Sequence, residues 1–266
     1  MEVYSASTPK MVISIDYDAI DLARLSTVVN GLSVQTPFVR KVSGVEVRNV
    51  PLNLSDYDLI NNALTKVKQD VSVISEVFIA FKPQYPWMPS RQMHVDIPTL
   101  TSIMEKTTAS TIFTHYIPTP GLRKYDVGVP NPYSRLAESL KTMKSTFPSP
   151  SITLCPSLFI GAYHFKDVSS DNTASSYEPI KICNAINLGK PANKGIQAND
   201  DGINVTIGTD AYAYDTEKSM EKKVQLIKQY FPNCIYLEQI SLDDVTCQCH
   251  SRFFLAMTSL VRAYYP

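Results

Sequence analysis

The stretch from Val71 to Pro118 constrains the fold most, because its pattern changes from strand to helix and back to strand. Its two apolar runs, VSVISEVFIAF and STIFTHYIP, are rich in the Val, Ile and Phe that are typical of buried strands. Between them, Asp96 is the expected cap of a helix that has Pro98 in its first turn, where a missing N–H costs nothing. A strand, a helix and a strand in succession form the building unit of α/β proteins.

The same alternation runs through most of the chain. MVISID is a predicted strand, and an apolar stripe after Ser55 predicts an amphipathic helix that ends at Asp70. Thr216 is the expected cap of another helix, and a last helix is expected over 250–266. The predicted fold class is therefore α/β or α+β, with one mixed β-sheet and about six helices packed against it.

The last third of the chain has long polar loops. Between Lys166 and Gly202 the sequence is rich in Ser, Asn, Asp, Gly and Pro, and the two expected loops flank one short predicted strand, IKICNAINL. Its 266 residues are long enough for a large core, and they predict a single globular domain over 1–266. A subdivision near 148–151 is the alternative.

The charge balance does not indicate nucleic acid as a partner. The 25 basic and 25 acidic residues give a formal net charge of zero, without the basic excess typical of such proteins. Binding of nucleic acid would need Arg40, Lys41 and Arg48 to share a face with the lysines of 216–231. Glutamates intersperse those lysines, which favours a solvated helix face. The lysines are Lys218, Lys222, Lys223 and Lys228.

No cofactor is predicted, because the glycine-rich motifs that hold nucleotide phosphates are missing from the sequence. No apolar run is long enough to predict a transmembrane segment. The N-terminal residues MEVYSASTPK lack the pattern of a secretory signal, so a cytoplasmic, intracellular location is expected.

Five cysteines, an odd number at low density, favour reduced thiols in such a compartment. The run Cys247-Gln248-Cys249-His250 has the residue types of a zinc site, and Cys234 or His164 could complete four ligands. However, C-x-C differs from the usual C-x₂-C spacing, and no second pair of cysteines accompanies it. Buried thiols are the favoured interpretation, so no metal site is predicted.

His94, Asp96 and His115 are the candidate catalytic residues if the chain is an enzyme. A carboxylate beside two imidazoles could bind a metal or transfer protons, since histidine titrates near neutral pH. This interpretation predicts a metal-assisted hydrolase or transferase. The alternative explains Asp96 as the helix cap and His115 as a strand residue that hydrogen-bonds to the backbone.

The favoured functional hypothesis is a non-enzymatic structural or interaction protein that self-associates or binds a protein partner. A viral assembly or accessory protein is one example, suggested by the polar composition and the lack of catalytic motifs. Exposed aromatic residues are typical interface anchors. The expected interface residues are Trp87 and Tyr85 in a proline-rich loop, with Tyr264 and Tyr265 at the end of the chain.

Overall fold

The structure is a computed structural model that describes residues 11–35, 42–52, 57–82, 96–118, 124–189, 197–199, 201–243 and 249. The chain folds into two compact units. The first unit contains the described residues up to Lys82, with 96–112 and 147–155. The second contains 113–146 and the described residues from Pro156 onward.

Thirteen strands in the described residues are numbered in chain order. The parallel strands are β1 (Met11–Asp16), β2 (Val42–Val50), β3 (Glu76–Phe81), β4 (Ala109–Ile112), β6 (Leu154–Phe159) and β13 (Tyr236–Glu238). They form one sheet in the order β1-β2-β3-β4-β6-β13. The pairs β1–β2, β2–β3, β3–β4 and β6–β13 are parallel.

The other strands all pair antiparallel and belong to the second unit. They are β5 (Tyr125–Asp126), β7 (Ala162–Lys166), β8 (Thr173–Ala174), β9 (Ser176–Ile180), β10 (Gln197–Asn199), β11 (Gly202–Ile207) and β12 (Asp210–Tyr214). Five of these strands form a sheet in the order β10-β11-β12-β7-β9, and β5 pairs with β8.

Six α-helices lie within the described residues. The first unit has α1 (Leu25–Gln35), α2 (Asp58–Asp70) and α3 (Ile97–Lys106), and the second has α4 (Tyr133–Thr146), α5 (Ile182–Gly189) and α6 (Glu217–Tyr230). Within the part of the chain that the structure describes, no helix is long and apolar enough to cross a membrane.

The predicted helix caps that can be checked are confirmed. Asp96 accepts a hydrogen bond from the N–H of Thr99 at the start of α3, and Thr216 accepts one from Ser219 at the start of α6. Helix α2 begins at Asp58 and buries four of the five residues of its predicted apolar stripe, whereas Leu59 is 64% exposed. The expected cap Ser55 and the last helix, 250–266, lie outside the described residues.

In the first unit, β1, β2 and β3 bury a row of apolar side chains on one face. Val45, Val47 and Ile79 are completely buried on one face of these strands. The neighbouring positions point to the opposite face because side chains alternate along a strand. There, Ser14 Oγ donates a hydrogen bond of 2.7 Å to the Glu46 carboxylate.

In the second unit, the antiparallel sheet has an apolar cluster on each face. Tyr163 and Phe165 of β7 belong to one cluster, and Ala162 of the same strand belongs to the other. Helix α5 covers the second cluster with Ile182, Cys183 and Ala185. The sequence prediction of a strand over IKICNAINL is therefore wrong, because these buried positions repeat with the period of a helix.

The predicted fold class is confirmed as mixed α/β with six helices. The predicted single domain over 1–266 stays a prediction.

Candidate functional site

The carboxyl ends of parallel strands are where α/β proteins usually place their binding and catalytic groups. In the second unit, β13 and β6 pair so that Tyr236 lies beside Ser157 and Glu238 beside Phe159. Partners in such a register point to the same side of the sheet. Tyr236, Ser157, Phe159 and Glu238 therefore share one face, and the intervening Leu158 points to the other side, where it is completely buried.

Aromatic rings from the segment after β4 contact this face. The rings of Phe113 and Tyr236 lie 5.7 Å apart, those of Phe113 and His115 5.4 Å, and those of His115 and Phe159 5.9 Å. Phe159 in turn stacks on Tyr163, with 4.6 Å between ring centres. We use the name aromatic face for six side chains: Phe113, His115, Ser157, Phe159, Tyr236 and Glu238.

The aromatic face has a buried floor and an accessible rim. Phe113, His115, Ser157 and Phe159 are each at most 3% exposed. Tyr236 and Glu238 are only partly buried. A ligand would therefore meet the rim first, which contains an aromatic ring and the only carboxylate of the six side chains.

The backbone around His115 is fixed by hydrogen bonds to Ser157. The N–H of Thr114 donates to Ser157 Oγ at 2.8 Å, and the Thr114 hydroxyl donates to the Ser157 carbonyl at 2.7 Å. The His115 ring also points toward Ser157, because its Nδ1 lies 2.7 Å from Ser157 Oγ. Two adjacent residues are thus tied to one residue of the neighbouring strand.

The imidazole of His115 is uncharged at neutral pH. Burial disfavours the protonated form and lowers the pKa of His115 from 6.5 to about 3. Proton transfer near pH 7 needs a pKa near that value, so this ring serves as a hydrogen-bonding group instead.

Glu238 ends the face at the carboxyl end of β13, where its carbonyl accepts a hydrogen bond of 2.8 Å from the N–H of Ile160. Its negative charge acts on the nearby phenol of Tyr163. Burial is the main cause that raises the pKa of Tyr163, and the charge of Glu238 adds to it. Tyr163 therefore remains a neutral hydroxyl, which donates to the carbonyl of Tyr116 at 2.8 Å.

Phe159 is held in place by the side chain of Asn131. The Asn131 amide donates to the Phe159 carbonyl and accepts from the Phe159 N–H, both at 3.0 Å. The same amide nitrogen also donates to the carboxylate of Asp215 at 2.6 Å. The backbone at the carboxyl end of β6 is therefore connected to a buried polar network.

An ion pair without solvent contact forms the centre of that network. The Lys223 ammonium donates to Asp215, and the side chains of these residues are 0% and 2% exposed. The Ser219 hydroxyl donates to the same oxygen of Asp215 at 2.8 Å. The expectation that Lys223 lies on a solvated helix face is wrong, because α6 turns this lysine inward to meet Asp215.

A second polar cluster lies at the carboxyl ends of β1, β2 and β3 in the first unit. Asn49 donates to Asp16 at 2.5 Å, and Lys82 forms an ion pair of 2.9 Å with Asp18. The hydrogen bond from Asn49 is the main cause that lowers the pKa of Asp16. Asn49 has a φ of 60°, at the point where the register of β2 and β3 shifts. Asp18 is exposed and the other three groups are partly exposed.

The structure does not test whether the three predicted catalytic residues form one site. Asp96 is the cap of α3 in the first unit, and His115 is buried in the second. His94 lies outside the described residues, as do all the predicted interface residues, which are Trp87, Tyr85, Tyr264 and Tyr265. A site formed by His94, Asp96 and His115 therefore stays a prediction, and so do the predicted interface and self-association.

The cysteines differ from the prediction. Cys183 on α5 and Cys249 form a disulfide, and Cys155 and Cys234 are also disulfide-bonded. The prediction of reduced thiols is wrong for these four residues, because folding brings sulfur atoms together that are far apart in sequence. Cys247 and His250 lie outside the described residues. Within the described part, no group of three metal-ligating side chains is found.

Sequence comparisons identify no relative, whereas structure comparisons identify many. No family model and no curated protein matches the chain. The Ostrinia furnacalis Group IV chitinase matches with a TM-score of 0.66 and 11% identity, covering 97% of this chain and 80% of that one. The chitinase-like agglutinin from Robinia pseudoacacia matches with a TM-score of 0.63 and 15% identity, covering 96% and 81%.

A third match is YKL-39, whose crystal structures were solved in the presence of chitooligosaccharides (GlcNAc4). Its TM-score is 0.63 with 13% identity, and the match covers 97% of this chain and 81% of that one. The likeness is one of fold.

These matches overturn the favoured functional hypothesis. The neighbours are chitinases and chitinase-like proteins, so the prediction of a viral structural or assembly protein is wrong. Phe159, Glu238 and Asn131 were not predicted from the sequence. For Glu238 the available signal was its place near the end of the strand-like run CIYLEQI, since polar residues after buried strands often belong to sites.

Proposed function

We propose that this chain binds an oligosaccharide of N-acetylglucosamine at the aromatic face of its second unit. The observation that carries the proposal is the position of Glu238 and Tyr236 on the rim of an aromatic floor, at the carboxyl ends of β6 and β13. Chitinases, a chitinase-like agglutinin and a protein crystallised with chitooligosaccharides share the fold, which supports this class of ligand.

The chemistry of the face suits a sugar. The partly exposed ring of Tyr236 offers apolar surface to the C–H groups of a pyranose ring, while the Glu238 carboxylate accepts hydrogen bonds from its hydroxyls. Hydrogen bonds to a charged group are stronger than neutral ones, so Glu238 is expected to contribute a large part of the binding energy.

We propose binding and not cleavage. Most glycosidases use two carboxyl groups, one on each side of the scissile bond. Among the six side chains of the aromatic face there is one, Glu238. The tetrasaccharide should therefore remain intact after prolonged incubation with the protein, as judged by mass spectrometry, and its cleavage by pure protein would contradict this part of the proposal.

The binding itself is tested by titration calorimetry with the N-acetylglucosamine tetrasaccharide, using a glucose tetrasaccharide as the ligand control. Replacing the carboxylate in Glu238→Gln should weaken binding about tenfold, because a hydrogen bond to a charged group is lost. Glu138→Gln, an exposed change on α4, is the matched control and should leave the affinity unchanged. Absence of binding by the folded wild-type chain at millimolar sugar would overturn the proposal.

A further inference from the structure

We infer that His115 presents a fixed, uncharged Nε2–H donor to the saccharide, and that Ser157 sets the tautomer that makes this possible. The inference rests on the proposed function, since it assigns a role at the same site. It begins from the Nε2 atom, which makes no hydrogen bond to the described part of the protein. In the described part of the chain, the hydrogen bonds of His115 involve its backbone N–H and Nδ1, and none involves Nε2.

The Nε2 atom of His115 is accessible to a ligand. His115 is only 2% exposed, but its Nε2 is not one of the buried atoms that lack a hydrogen bond, so this nitrogen retains contact with solvent. Nε2 is at the end of the imidazole far from the main chain, and the ring lies between Phe113 and Phe159 on the aromatic face. A ligand that accepts a hydrogen bond there would satisfy it.

The contacts of Ser157 indicate which nitrogen carries the proton. Ser157 Oγ already accepts the N–H of Thr114 at 2.8 Å, and a longer bond of 3.4 Å comes from the N–H of His115. The hydroxyl proton of Ser157 is then available to donate to His115 Nδ1, which is 2.7 Å away. Nδ1 therefore acts as the acceptor, and the neutral ring must carry its proton on Nε2.

A neutral donor among aromatic rings favours an uncharged acceptor, because such an acceptor needs no counter-ion. The hydroxyl oxygens and the acetamide carbonyl of N-acetylglucosamine are acceptors of this kind. Because the ring stays neutral, its contribution to binding should be the same at pH 5 as at pH 8.

The tautomer is measured without any sugar, by long-range proton–nitrogen NMR of the imidazole in the wild-type chain. The expected spectrum shows a protonated Nε2 and an unprotonated Nδ1 in His115. A proton on Nδ1, or a doubly protonated ring at pH 7, would overturn the inference. This result does not depend on whether the chain binds saccharides.

The role in binding is tested with three variants and the N-acetylglucosamine tetrasaccharide. His115→Phe retains a ring but removes the donor and should weaken binding about tenfold, since one hydrogen bond is lost. Ser157→Ala should also weaken binding and should place part of the proton on Nδ1 in the NMR spectrum. Thr142→Val on helix α4 is the matched control: it removes an exposed side-chain hydrogen bond to the Glu138 carbonyl and should change neither tautomer nor affinity.

The outcomes separate this inference from the proposed function. If Glu238→Gln weakens binding while His115→Phe leaves it unchanged, the binding site stands and the role of His115 is wrong. If the wild-type chain binds no saccharide at all, the proposed function fails and the role of His115 in binding fails with it, whatever the tautomer.

We propose, from a separate observation, that the chain acquires its disulfides in an oxidising compartment. The expected intracellular location is not tested by the structure, but the thiol state on which it partly rested is wrong. Four of the five cysteines are disulfide-bonded, and disulfides are rare where glutathione keeps thiols reduced. The bond from Cys183 to Cys249 spans 66 residues and lies against the apolar cluster that α5 covers.

Mass spectrometry of the protein from its natural source, alkylated during lysis and digested without reduction, tests this. The expected result is a Cys183–Cys249 linked peptide, with Cys155 and Cys234 also protected from alkylation. Complete alkylation of these four cysteines would overturn the proposal. Recombinant protein made under oxidising and reducing conditions is the control, and only the first should contain the linked peptide.

Discussion

At the scale of single residues, burial decides what His115 can do. The sequence shows a histidine in a strand-like run, and from that pattern alone a titrating catalytic group and a structural residue are both reasonable. The structure gives the ring a buried position that keeps it neutral, and a bond to Ser157 that fixes its direction. No pattern in the sequence indicates Ser157 as the partner, because the two residues are 42 positions apart.

Because burial lowers the pKa of His115, the protein is expected to become less stable as the pH is lowered. Its pKa is 6.5 in the unfolded chain and about 3 in the folded one, so between these values the unfolded chain binds the extra proton. This contribution is complete above pH 6.5 and is lost as the pH falls toward 3. Lowering the pH from 7 to 5 should therefore reduce the free energy of unfolding by about 2 kcal/mol.

Urea denaturation at pH 7 and pH 5 measures this effect. His115→Phe is the matched variant, because it lacks this titrating group but keeps every carboxylate and the other histidines. The difference between wild type and variant in their pH dependence isolates the histidine. Equal pH dependence in the two proteins would show that His115 is not held neutral by burial.

At the scale of elements, the sequence predicts those whose pattern is strong. Helix α2 buries most of its predicted apolar stripe, and the caps of α3 and α6 are the predicted Asp96 and Thr216. Helix α5 was predicted as a strand, because its eight residues are almost all apolar or small and such a short run has no clear period. As a helix, the segment packs its apolar residues against one face of the antiparallel sheet.

Two glycines, one at the start of β11 and one in the turn between β11 and β12, predict different costs of substitution. Gly202 and Gly208 both have a positive φ, 136° and 62°. A Cβ on Gly202 would lie 2.6 Å from the Tyr214 carbonyl oxygen, whereas one on Gly208 would meet nothing within 4 Å. Gly208→Ala should cost about 1 kcal/mol for its backbone conformation alone. Gly202→Ala should cost about 1–3 kcal/mol from backbone strain, and its collision adds to this.

Thermal and urea unfolding of the two glycine variants provide the comparison. The expected order of stability is wild type, then Gly208→Ala, then Gly202→Ala. If Gly202→Ala were as stable as Gly208→Ala, the close approach of β11 to the carbonyl of Tyr214 would be wrong.

At the scale of the whole molecule, the fold class was predictable and the site was not. Alternating strands and helices indicate an α/β protein without further information. The aromatic face needs three segments, around His115, Phe159 and Glu238, which lie 44 and 79 residues apart in the chain. Which side chains meet depends on the register of β6 and β13, and that register is fixed by tertiary structure and not by any local pattern.

The central claim is that the aromatic face of the second unit binds a saccharide, and a crystal structure with the N-acetylglucosamine tetrasaccharide tests it most directly. The predicted result is a sugar ring on the aromatic face, with a hydroxyl within hydrogen-bonding distance of the Glu238 carboxylate and an acceptor oxygen facing His115 Nε2. A tetrasaccharide bound at another surface, with the aromatic face empty at saturating ligand, would contradict the account.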